Sequence, residues 1–63
     1  MEQLGKLLTI EELAGYLSVS PSWIYEQSRL RRRNGFPVLK LGKYLRFDLE
    51  AVRQWAAEQA KKA

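Results

Sequence analysis

Arg29, Arg31, Arg32 and Arg33 fill four of five consecutive positions, and Lys40, Lys43 and Arg46 follow before Phe47. From Ser28 to Phe47 there are seven bases and no acid, whereas the remainder of the chain holds four bases and seven acids. The net charge of +4 therefore understates a strongly segregated field, and such a field favours a polyanionic partner. A solvated basic loop is the plainer alternative that charge alone would allow. Other chemistry is poorly provided for. The sequence has no cysteine and no histidine, so no disulfide or thiolate can staple it, and a zinc site would need carboxylates alone. Neither a metal nor a cofactor is expected.

With 63 residues, the chain reads as one domain, 1–63, near the lower size limit for a single core. No apolar run approaches the roughly 20 residues of a membrane span. The opening MEQLGKLL lacks the basic start and long apolar centre of a signal peptide. A cytoplasmic protein without membrane contact is expected.

Something must position the bases. In LLTIEELAGYLSV, Thr9 and Glu12 have capping-box spacing, so a helix should begin there. Ile10, Leu13, Ala14 and Leu17 then form one apolar stripe. Gly15 within it costs about 1 kcal/mol relative to alanine, which suggests a close neighbour. A second helix should start three residues after the first stops, with Ser20 as cap and Pro21 at the first helical position. Ile24 is its core residue, Val19 plugs the corner, and Ser22, Tyr25, Glu26 and Arg29 lie on the other face. Asn34-Gly35 breaks the pattern, so this helix ends between Ser28 and Arg33.

PVLKLGKYLRF alternates as two strands about a turn. If Leu39 and Leu41 face inward with Leu45 and Phe47, Leu41 pairs with Leu45 across a three-residue loop, Gly42 to Tyr44. A two-residue loop would instead put Tyr44 and Arg46 on the face with Leu41. The three-residue form is expected. Asp48 should cap a last helix with a stripe of Leu49, Val52, Trp55 and Ala56. The order is α, α, β-hairpin, α. The fold class is α+β, mainly α, and the architecture a winged helix-turn-helix, whose second helix enters the DNA major groove N-terminus first.

The segments LLTIEELAGYLSVSPSWIYEQ, FPVLKLGKYLRF and DLEAVRQW resemble the small winged-helix excisionases of phages and integrative elements, also called recombination directionality factors. They are similar too to AlpA-type and MerR-type DNA-binding domains. The likeness runs from about Leu7 to Trp55. It implies sequence-specific binding of double-stranded DNA without enzymatic activity. By position it implies that Ser20, Ser22, Trp23 and Glu26 face the major groove and that Lys40, Lys43 and Arg46 lie on the wing. The sequence departs from the family pattern after WIYEQS, where Gln27 and Ser28 are polar and the arginine run adds residues before Pro37. Leu30 could supply the missing apolar contact.

Individual side chains take distinct roles in this reading. Arg29, Arg31, Arg32 and Arg33 should grip phosphates, which orient a protein without reading sequence. Trp23 either packs against the last helix or touches a thymine methyl or sugar. Glu26 accepts from a cytosine amino group. Tyr25 is half-buried with its hydroxyl reaching a phosphate, Tyr44 at the wing tip contacts the backbone, and Trp55 is core. The resemblance implies an excisionase that binds attachment-site repeats in tandem, bends them and directs a cognate integrase. A small AlpA-type transcriptional regulator and a protein-interaction module with a basic docking face are the alternatives.

Overall fold

The Thr9–Glu12 box forms as its spacing requires. In the computed structural model, which describes residues 7–62, the Glu12 amide donates to Thr9 Oγ1 at 3.2 Å and the Thr9 amide to Glu12 Oε1 at 2.9 Å. The opening residues read for a signal peptide lie mostly outside the described part, as do the two ends of the expected domain. Helix α1 runs Ile10–Leu17 and stops at Ser18, whose left-handed backbone (φ 58°) lets its amide turn back onto the Ala14 and Gly15 carbonyls. Ser20 then caps α2, Pro21–Arg29, by accepting from the Trp23 amide at 3.2 Å.

Two elements come in addition to the expected order. Leu7–Leu8 form a short strand, β1, and Arg31–Asn34 form a single helical turn, α3. The hairpin strands are β2, Leu39–Leu41, and β3, Tyr44–Asp48, and the last helix is α4, Leu49–Lys62. The three strands make one antiparallel sheet in the order β1-β3-β2. The fold is α+β, mainly α, with a hairpin following the helical corner as a winged helix-turn-helix requires.

Leu8, Leu13, Ala14, Ile24, Phe36, Phe47 and Val52 are the buried apolar residues. Ile10, Leu17, Val19, Leu49 and Trp55 pack on them from the sides. The helical stripes and the plug at Val19 thus sit where expected, except that Ala56 is exposed. Gly15 has open space where a Cβ would go, so no close neighbour explains it. Leu30 is only half-buried and stands outside the apolar cluster. The missing contact comes from Phe36, whose ring meets Trp23, Phe47 and Trp55 edge-on at centroid distances of 6.4, 6.1 and 4.8 Å.

The hairpin register differs from expectation. Leu41 pairs with Tyr44, Lys40 with Leu45 and Leu39 with Arg46, so the loop is the two residues Gly42-Lys43. Gly42 has φ 62°, the positive value that a type II′ turn needs at its first loop position. Phe47, fully buried opposite Leu8 on β1, fixes which face of β3 is inward. Alternation then turns Leu39, Leu41, Tyr44 and Arg46 outward together. Leu39 and Leu41 are accordingly 37% and 47% exposed rather than core.

Candidate nucleic-acid interface

The register change has a direct effect on the bases. Opposite residues in an antiparallel pair share a face, so Lys40 points to the same side as Leu45, toward the helices. There it joins Lys43, Arg29 and Arg31 around a cleft of about 260 Å³, completed by Tyr25, Ser28 and Leu45. One wall is the C-terminal half of α2 with the start of α3, and the other is the wing. Four of the seven lining residues are cations and none is acidic.

The helical wall is shaped by small and well-bonded groups. Ser28 is buried, and its hydroxyl donates to the Ile24 carbonyl at 2.8 Å, so a polar residue sits on the core side without an unmet bond. The Arg31 guanidinium donates to the Ser28 carbonyl at 2.9 Å, which ties α3 to the end of α2 and holds the charge at the cleft. Tyr25 is 57% exposed and lines the cleft, where a half-buried ring was expected. Arg29 forks onto both carboxylate oxygens of Glu26 one turn earlier. That hydrogen bond first, and the carboxylate charge second, raise the Arg29 pKa above its ordinary value, so it stays a cation.

Asn34 is the fastening behind the cleft. Its side-chain amide donates to Gln27 Oε1 at 2.8 Å, its side-chain oxygen accepts from the Phe36 amide at 2.9 Å, and its carbonyl accepts from the Trp55 indole at 2.7 Å. One residue thus joins α2, the chain leading to the wing, and α4. Trp55 is half-buried and hydrogen-bonded rather than purely core. Gly35 follows in the left-handed region at φ 72° and turns the chain back toward the wing.

The remaining sequence-predicted residues lie around the cleft rather than in it. Ser22 and Trp23 are exposed in the first turn of α2 and Glu26 is exposed one turn further on, and the Ser20 hydroxyl, within 3.2 Å of that of Ser22, is engaged as the helix cap. Trp23 is 40% exposed with its ring edge on Phe36, so its aromatic contact is with the loop and not with α4. Arg32 and Arg33 are exposed on α3 outside the cleft lining. Tyr44 lies on the outer face of the wing, with the Lys43 ammonium 5.6 Å and the Arg46 guanidinium 5.4 Å from its ring centroid. Such cation–π pairing orders two charges at the wing tip.

Sequence reasoning passed over Ser28, Leu45 and Asn34 as contributors. Ser28 had a signal, since it lies four residues after Ile24 and therefore on the core face of the helix. Among the described residues, no group of acidic side chains could hold a metal ion and no helix is long and apolar enough to cross a membrane. Residues 7–60 match a family described as a helix-turn-helix domain. No curated protein and no solved structure matches.

Proposed function

The chain belongs to the helix-turn-helix domain family, and on that premise we propose that it binds double-stranded DNA sequence-specifically and serves as an excisionase, turning a partner integrase toward excision of a mobile element. The observation that carries the DNA reading is the cleft, where Arg29, Arg31, Lys40 and Lys43 converge between the second helix and the wing. With the N-terminal half of α2 in the major groove, a phosphate strand at the groove edge meets those four charges. Ser22, Trp23 and Glu26 then face base edges, with Ser20 beside them, and Tyr44 with Arg46 meets the backbone beyond the wing. Arg32 and Arg33 add charge outside the cleft.

The directing role rests on the resemblance of LLTIEELA, VSPSWIY and VLKLGKYLRF to excisionases. Excision needs bent DNA. Smoothly bending 20 to 30 base pairs by 40 to 90° costs on the order of 1 to 6 kcal/mol, a cost that several molecules in tandem on attachment-site repeats share. The test combines gel shifts on the element's own attachment site with recombination by its integrase. Stepwise shifts of increasing bend and excision only with this protein present are expected. Promoter binding that alters transcription and leaves integrase unaffected would favour the AlpA-type regulator. Affinity that barely changes with salt would favour a protein-docking module, because each phosphate neutralised adds about −0.9 to the slope of log K against log salt.

A further inference from the structure

Arg29 belongs to two places at once. It lines the cleft, and its guanidinium is forked onto the carboxylate of Glu26, which stands outside the lining. The two side chains are 59% and 49% exposed, so the pair is open to water and to competing anions, and pairs of this kind are weak. To a guanidinium, a carboxylate and a phosphate offer the same two-oxygen edge. We propose that Glu26 is an internal stand-in for DNA phosphate: it occupies Arg29 in the free protein, and a phosphodiester entering the cleft takes Arg29 away and releases the carboxylate to the base edges.

The inference rests on the DNA-binding reading above and adds a link between its two halves. Phosphate capture and base reading share one side chain, so they cannot proceed independently. On a sequence offering an amino group at the right place, the released Glu26 finds a donor. On other sequences it is left beside phosphates without one, so Arg29 stays with Glu26 and one phosphate contact is lost. Glu26 thereby weakens binding to wrong sequences, a repulsive element of the kind specificity often needs.

The experiment measures affinity across a salt series for random duplex DNA and for a selected site. It uses the wild-type chain, Glu26→Gln, Arg29→Gln and the double variant. Glu26→Gln should tighten binding to random DNA about two- to fivefold, the range that releasing one exposed ion pair allows. It should steepen the salt slope there by about 0.9 and weaken binding to the selected site. In the Arg29→Gln background the same change should tighten random-DNA binding by a smaller factor, what remains being relief of carboxylate repulsion by phosphates, because the two residues act as a coupled pair. An equal gain in both backgrounds would mean that Glu26 merely repels phosphates, and the inference would fall while the DNA reading stood. Failure of the wild-type chain to bind duplex DNA at low salt would instead overturn the DNA reading itself.

Discussion

The two sides of the segment from Ser28 to Phe36 are built on opposite terms. On the inner side, Asn34 exchanges hydrogen bonds with Gln27, Phe36 and Trp55, and the buried Phe36 ring touches three other aromatic rings. On the outer side, four cations surround an open cleft. There, among the described residues, only Arg29 has a carboxylate partner. The inner side is satisfied by the protein itself. Gathering like charges on the outer side opposes folding, and they stay together because the inner side is firm. The arrangement separates what stabilises from what binds, although the two sets of residues alternate along a few positions of chain.

That separation can be broken from the inside first. Phe36→Ala removes the ring on which Trp23, Phe47 and Trp55 converge, and a loss of about 3–5 kcal/mol is expected, read as the midpoint shift in chemical denaturation. A variant as stable as its parent would show that the aromatic cluster is not the frame of the cleft. Asn34→Ala should cost less, about 1–3 kcal/mol, because it leaves Gln27 and the Phe36 amide without their partner. Thermal melting measures it, and DNA affinity should fall with stability. The smallest stability effect belongs to the outer side. Lys40→Gln combined with Lys43→Gln should cost at most about 1 kcal/mol, the upper worth of an exposed cation–π contact such as that of Lys43 with Tyr44. The same pair should flatten the salt slope of DNA binding by about 0.9 per charge on every sequence tested. A stability loss as large as that of Asn34→Ala would erase the distinction between the two sides.

Legibility in the sequence followed the range of the signals. Thr9 with Glu12, Ser20 with Pro21, and Asp48 before Leu49 are local chemistry, and each cap appears where its spacing puts it, the last with the Glu50 amide donating to Asp48 at 3.1 Å. The helix-turn-helix corner follows from the same local reading, as does the placing of Arg29 to Arg33 at the end of the second helix and of Lys40, Lys43 and Arg46 on the wing. The hairpin register does not, because counting alternation through Leu39 and Leu41 assumes that apolar residues of β2 face a core. No inward layer awaits them. The face is set by Phe47 against Leu8, a partner far away in sequence. Phe36 lies in a loop, outside any periodic pattern, and α3 is too short for a period to show. The cleft therefore became visible only once Lys40 was turned over by pairings that no nearby residue announces.

The pairing of Leu7–Leu8 with Asp48 and Phe47 also bears on the order in which the molecule can assemble. A two-stranded hairpin alone is marginal in water, and a third strand is what gives such a sheet independent stability. Here that third strand comes from the start of the described chain, about forty residues before its partner. Residues emerging from a ribosome in sequence would complete α1 and α2 first, with Leu8 left waiting in solvent until Phe47 arrives. The sheet is thus completed only once β3 is made, by a strand that precedes both helices of the corner. A change at Leu7–Leu8 would act first on Phe47 and Asp48, the residues that join the wing to α4.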